Sequence, residues 1–477
     1  MTLWFRLTSA GRLTLGFVVL TALAFAIGRV GLDPLMIRTL LFGVLLLFAL
    51  GLSVKNPAAS MFFLILYVPL LGLLRRILIP VAGWGTFDPL VILEPVVVLL
   101  LGSYWFYRTY FLRESIVNDT RTFKLMRWMI LIDVLEVINP KQGGLTVGYG
   151  GLIFYVVPLF WMVLSRQYLD HRRMKKIIAA STVMGVLVAL YGLKQTYFGY
   201  FPFEQQWIAL TNIISMNVYG SVRAVSTFTS AQEYATYLGV AMMFAWFYVL
   251  RGKRSLKMPA LVALGVMGWA LFMESARGPI VTTMLGMAMM TVFSVRRLRS
   301  RLTLLAVVGG SLVVVFIGIG HIHSGNGLIV HDVSGLTNPL HSSATGHLTR
   351  MWAGILTGLK MPIGYGLGST TTAAGKFVSN GNLGTEVDIS NMFVSDGVIG
   401  GVLYIALLVS VFYQAFRQAH FRSNTGLIAI GVLCAAGGQW VNGELYSVAA
   451  LTWIIVGQLD RESPHYRTES AYASGTG

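Results

Sequence analysis

The chain has 477 residues, of which 55% are hydrophobic and 12% charged, about half the charged fraction of a soluble protein of that size. Its formal net charge of +17 sits in short basic clusters between apolar runs, which argues for membrane topology and against a nucleic-acid-binding surface. The one cysteine, Cys434, rules out an intrachain disulfide and a cysteine metal cluster.

Arg6 and Arg12 precede an apolar stretch, and "ALAFA" at 22–26 has the small-x-small spacing of a signal-peptide cleavage site. Another apolar run begins within ten residues of that stretch, so it is read as the first membrane helix. Fourteen candidate helices follow from runs near 13–30, 36–53, 58–74, 88–107, 123–139, 148–165, 176–197, 232–250, 257–274, 279–295, 303–320, 391–415, 424–441 and 445–459. The clusters Arg108/Arg113/Arg121/Lys124, Arg166/Arg172/Arg173/Lys175/Lys176, Arg251/Lys253/Arg254/Lys257, Arg296/Arg297/Arg299/Arg301 and Arg417/Arg422 all fall on one side. The positive-inside bias makes that side the cytoplasm and places both termini there. Arg75 and Arg76 break the bias, which suggests that the third and fourth helices are re-entrant or misregistered.

The extracytoplasmic side then receives two long connections, 199–231 and 321–390, the second rich in Gly, Ser, Thr and His. The tail after Glu462 is polar and without apolar pattern, so it is expected to be disordered. The expected fold is an all-α polytopic integral membrane protein of about 12–14 transmembrane helices with one large extracytoplasmic loop subdomain. Membrane helices are expected over 1–320 and 391–461, the loop subdomain over 321–390 and a disordered cytoplasmic tail over 462–477.

Charge is costly beside lipid, so charged residues at the extracytoplasmic side invite a function. Glu386 and Asp388 stand just ahead of the helix expected from Asn391, with Ser390 as its N-cap. Arg223 precedes the eighth helix, Arg277 occupies a tight turn between the ninth and tenth, and Arg350 lies in the large loop. Arginine suits phosphate through its fixed fork of donors and its permanent charge. Each residue also has a plainer reading: Arg277 could stabilise its turn, Arg223 and Arg350 could pair with Glu233, Glu274 or Asp332, and the carboxylates could mark the membrane boundary.

Four ordered pieces carry a resemblance: "RAVSTFTSAQEYATYL" from Arg223, "ESARGP" around Arg277, "TRMWAGILTGLKMPIGYGLGS" with Arg350, Trp352, Gly364, Gly366 and Gly368, and "SNMFVSDGVIGG" with Gly397 and Gly400. Together, over roughly Arg223 to Gly401, they resemble the O-antigen ligase and O-antigen polymerase superfamily of bacterial membrane glycosyltransferases. The resemblance implies an extracytoplasmic, inverting glycosyltransferase of the inner membrane that needs no metal or other cofactor. It would polymerise undecaprenyl-diphosphate-linked oligosaccharide repeats into exopolysaccharide or O-antigen. A lipid-linked glycan donor, a lipid-linked or glycan acceptor and membrane lipids would be its partners, with a flippase and a chain-length regulator nearby and no nucleic acid. Arg223, Arg277 and Arg350 would bind the diphosphate, with Ser390, Asn391, Trp352 and His347 supporting. Ligases of this family usually carry His-Asn where this chain has Ser390-Asn391, and that histidine is the family's proposed base. Asp388 or Glu386 is the nearest substitute.

Other signals stay open. Five histidines in the large loop (His321, His323, His331, His341, His347) include a His-x-His pair that could ligate zinc, although a polar loop explains them as well. Glu94, Asp133 and Glu136 lie within apolar runs and are what a transporter or flippase for a lipid-linked sugar would use. The competing functions are therefore a ligase acting on lipid A core or another acceptor, such a transporter, and a non-catalytic scaffold.

Overall fold

The computed structural model describes residues 34–85, 87–113, 120–211, 217–218, 221–295, 299–300, 303, 306, 327–337, 343–378, 381–385 and 387–473. The first candidate helix, most of the run at 303–320, and Glu386 lie outside them. Within them the protein is all-α and built as a polytopic membrane protein: seven helical stretches among the described residues are long and apolar enough to cross a bilayer.

In chain order the helices are α1 (Pro34–Lys55), α2 (Pro57–Tyr67), α3 (Leu71–Ile77), α4 (Leu93–Tyr110), α5 (Arg121–Glu136), α6 (Leu145–Gly151), α7 (Val157–Tyr168), α8 (His171–Phe198) and α9 (Pro202–Thr211). There follow α10 (Ala231–Arg251), α11 (Arg254–Glu274), α12 (Arg277–Ser294), α13 (Gly327–Thr337), α14 (Ser343–Lys360), α15 (Thr372–Phe377), α16 (Asp388–His420), α17 (Asn424–Ala436) and α18 (Tyr446–Ala473). A two-residue ladder pairs Asn217–Val218 with Ser221–Val222. Starts are set by caps: Thr120 Oγ1 accepts from Phe123 N, Asp170 from Arg173 N and Ser230 Oγ from Glu233 N. The chain turns where a residue adopts positive φ, as at Gly199 (φ 74°), Ser275 (φ 65°) and Gly437 (φ 52°).

Small residues let the helices approach closely, as is usual where lipid removes the hydrophobic drive between them. A Cβ on Gly286 would lie 2.8 Å from the Gly431 carbonyl oxygen, and one on Gly457 would lie 2.5 Å from that of Met162. Trp161, Trp453, Tyr234 and Tyr404 are among the largest fully buried side chains. Apolar residues such as Val54, Val183, Val262 and Val409 stay exposed on the perimeter, as a lipid-facing surface requires.

The two ends of the bundle differ in charge. At the basic end Arg166 meets Asp460 at 3.2 Å, and Asp460 also accepts from Thr120 Oγ1 (2.6 Å) and Gln414 Nε2 (3.0 Å). At the opposite end, α10, α12, α16 and α18 all begin around the 436–446 connection. Glu233 Oε1 accepts from Ser447 Oγ at 2.8 Å, Thr282 Oγ1 donates to the Ala435 carbonyl at 3.1 Å, and Asp388 N donates to that of Gly438 at 3.1 Å. We call this the site end.

Arg75 and Arg76 close one continuous helical stretch formed by α2 and α3, Pro57–Ile77, at the site end. There the charges are matched: Arg75 Nε and Arg38 Nη1 both meet Asp88 Oδ2, at 2.9 and 2.5 Å, and Arg76 Nη1 donates to the Phe228 carbonyl at 2.7 Å with Glu204 3.8 Å away. The polar segment after Glu462 is helical to Ala473, because propagating α18 needs no new nucleus. Where described, the 321–390 connection holds the helices α13, α14 and α15.

Candidate functional site

The site is built around the α11–α12 turn. Ser275 closes α11 in the left-handed region, which reverses the chain within two residues and starts α12 at Arg277. Glu274 is fully buried beneath the turn, and Arg223 Nε donates both to its Oε1 (3.0 Å) and to its carbonyl (3.2 Å). The segment before α10 therefore delivers Arg223 onto the turn that carries Arg277.

Helix α13 covers this pair. Arg277 Nη2 lies 2.9 Å from His331 Nε2, and Ser275 Oγ lies 2.8 Å from His331 Nδ1 and donates to the Leu328 carbonyl at 3.2 Å. Because a guanidinium only donates, Nε2 is the acceptor and the proton sits on Nδ1, donated to Ser275 Oγ. His331 is thus neutral. Burial, then the positive charges of Arg277 and Arg223, hold it below the ordinary imidazole value. Among the described residues, the partner seen for Arg277 is a neutral imidazole and not a carboxylate.

The third and fourth sequence pieces also meet. Helix α16 breaks at Gly397 (φ 65°, ψ −159°), and the Pro362–Gly366 turn fills the break. Tyr365 N donates to the Val394 carbonyl (2.9 Å), Gly366 N to that of Ser395 (3.0 Å) and Val398 N to that of Pro362 (3.2 Å). A Cβ at Gly397 would lie 2.0 Å from the Pro362 oxygen, so both the conformation and the space demand glycine. Helix α14 runs parallel to the first turns of α16: a Cβ at Gly354 would lie 3.0 Å from Ser390 Cβ, and one at Gly358 would lie 2.2 Å from the Phe393 oxygen.

That packing fixes the other candidates. Ser390 is not the N-cap: α16 begins at Asp388, and Ser390 Oγ bonds the Val387 carbonyl (3.0 Å) and Thr385 Oγ1 (2.6 Å). Asn391 Oδ1 accepts from Thr385 N at 2.7 Å, so the Ser-Asn pair pins the incoming chain onto the first turn of the helix. Asp388 is fully buried; its Oδ2 accepts from Val441 N (2.7 Å) and Tyr404 Oη (3.3 Å), while no described group donates to Oδ1. Arg350, one turn before Gly354 on α14, is exposed. Trp352 is exposed on α14, in a stripe with Leu348, Leu356 and Leu359. His347 lies on α14 with its side chain outside the described residues, as are the side chains of His321, His323 and His341. The structure thus brings Arg223 and Arg277 to one turn, the first on Glu274 and the second on His331, and sets Asp388 beneath the 438–441 turn.

Sequence reasoning missed two features. His331 gave no signal beyond loop composition, because its partners lie more than 50 positions away. Asp396, read only as part of the Gly-x-x-Gly stretch, is buried at the α16 break and feels the charges of Asp133 and Glu136. None of the four carboxylate oxygens of Asp133 and Asp396 receives a hydrogen bond from a described group. Glu136 Oε2 accepts from Asn139 Nδ2 (2.6 Å), and Glu94 Oε1 accepts from Trp161 Nε1 (2.6 Å). Among the described residues no group of three or more His, Cys, Asp or Glu is arranged to hold a metal ion. No protein-family model matches the chain, and no curated protein matches it either.

Proposed function

We propose that the protein is a membrane glycosyltransferase that joins polyprenyl-diphosphate-linked oligosaccharides at the extracytoplasmic face. The observation that carries the reading is the convergence of Arg223 and Arg277 at one turn, with a neutral histidine and not a carboxylate as the partner seen for Arg277. The first turn of α12 adds backbone N–H donors beside Arg277. The exposed apolar stripe of α14 would rest in the bilayer surface, holding Arg350 at headgroup level.

In the reaction, an acceptor hydroxyl gives its proton to a carboxylate while its oxygen bonds the anomeric carbon of the donor. The bond from that carbon to the diphosphate breaks, and the electron pair leaves on the lipid diphosphate. Fixed guanidinium groups stabilise that growing charge without reorganising water. Attack opposite the diphosphate inverts the anomeric centre. Asp388 and Glu386 are the base candidates. Asp388 is closed beneath the 438–441 turn, so its use as the base requires that turn to open.

The test compares Asp388→Asn, Glu386→Gln and Arg350→Ala for polymer formed in membranes containing equal amounts of inserted protein. Loss of product in one carboxylate variant identifies the base, and loss in Arg350→Ala supports its place at the diphosphate. Full product in all three overturns the assignment of chemistry to this end.

A second reading, a transporter driven by protons or cations, is favoured by one observation: Asp133 and Asp396 are buried within reach of each other's charge, without donors among the described residues, and Asp396 lies at a helix break. Buried carboxylates of this kind are what a proton- or cation-coupled transporter uses. Asp396→Asn separates the readings: transfer of sugar survives it in the enzyme, whereas gradient-driven flux in proteoliposomes is lost in the transporter.

A further inference from the structure

A groove of about 690 Å³ opens at the basic end, between the C-terminal half of α16 and the start of α5, apart from every residue discussed above for glycosyl transfer. Its two ends have opposite chemistry. Val402, Ile405 and Val409 form an exposed apolar wall along α16. At the other end stand Arg121 and Arg417, with Gln414 and Gln418 between them and the interior. Arg121 is the first residue of α5, where a helix presents N–H groups without intrahelical partners and the positive end of its dipole. Among the described residues, no carboxylate lines the groove. Asp460, behind Gln414, is already engaged by Arg166 and Thr120.

The length of the feature is informative. From Val402 to Arg417 the helix advances about 22 Å at about 1.5 Å per residue. That matches one leaflet, roughly half of a bilayer about 40–45 Å thick including headgroups. An occupant with an anion at one end and a hydrocarbon chain one leaflet long fits both the charge and the span.

We propose that this groove binds an anionic phospholipid, its phosphate between Arg121 and Arg417 and one acyl chain along Val402, Ile405 and Val409. Lipids of the surrounding bilayer would supply it, and zwitterionic lipids would be disfavoured because their cationic group meets two guanidinium groups.

The test uses the full-length protein purified in detergent, with native mass spectrometry after adding dioleoyl phosphatidylglycerol or dioleoyl phosphatidylcholine at matched concentrations. Wild type should retain the glycerol lipid at least about tenfold better than the choline lipid. Arg121→Gln combined with Arg417→Gln should erase that preference, while Ala406→Trp, which fills the apolar wall and keeps both charges, should weaken retention of both lipids. Equal retention of the two lipids by wild type overturns the proposal. So does an unchanged preference in the double arginine variant, or unchanged retention in Ala406→Trp. Should the double variant fail to fold, the wild-type comparison and Ala406→Trp still decide.

Discussion

Arg223 can serve a substrate or merely neutralise Glu274, and the geometry allows the two roles to be separated. Glu274 is fully buried and Arg223 Nε sits 3.0 Å from it, with the arginine about one-fifth exposed. Arg223→Ala leaves an uncompensated buried carboxylate, a loss of about 3–5 kcal/mol of stability. Adding Glu274→Gln removes the charge and should recover most of that loss, since a neutral amide is far cheaper to bury. Glu274→Gln alone should stay near wild-type stability, because the glutamine oxygen can still accept from Arg223. Catalysis should not follow the same pattern. If Arg223 faces the diphosphate, turnover falls about a hundredfold or more in Arg223→Ala and stays low in the double variant. Denaturation in detergent gives the stabilities, and product formed per folded protein gives the turnover. Recovery of turnover together with stability in the double variant would refute the reasoning and reduce Arg223 to a structural partner.

Three further outcomes are expected. Gly397→Ala places a Cβ 2.0 Å from the Pro362 oxygen at a φ of 65°, and should cost about 3 kcal/mol or more from left-handed strain and overpacking, read by unfolding in detergent. His331 is held below its ordinary pKa by burial and by Arg277 and Arg223. The unfolded chain therefore takes up the proton first, and stability falls as pH drops through about 6.5 toward the lowered value. Thermal unfolding of wild type should show that acid-side loss, and His331→Gln should flatten it. Asp133→Asn removes a carboxylate that has no described donor, so it should be neutral or stabilising by about 1–2 kcal/mol under the glycosyltransferase reading; a large destabilisation would show that the charge is required.

Much of the fold was legible because apolar run length and basic clusters are local properties. The stretch at 36–53 became α1 and that at 257–274 became α11. What escaped was set by distant partners. Arg75 and Arg76 break the charge rule in sequence, yet Asp88, Glu204 and the Phe228 carbonyl make their position intelligible. The break in α16 was hidden because an isolated glycine in an apolar run carries no sign of the Pro362 turn that fills it. In the candidate site, the turn at Ser275–Arg277 was visible as a turn, whereas its contact with Arg223 and the covering His331 were not. Ser390 looked like a cap because serine before an apolar run usually is one; the helix instead begins at Asp388, after an extended Val387.

The central claim is that the Arg277 guanidinium, beside His331, receives a leaving lipid diphosphate. Purified protein in lipid vesicles, supplied with a polyprenyl-diphosphate oligosaccharide and followed by chain-length analysis, measures this most directly. Wild type should release lipid diphosphate and lengthen the glycan by whole repeats, while well-folded Arg277→Ala should do neither. Release of lipid diphosphate at the wild-type rate by Arg277→Ala, or its absence in wild type, would contradict the claim.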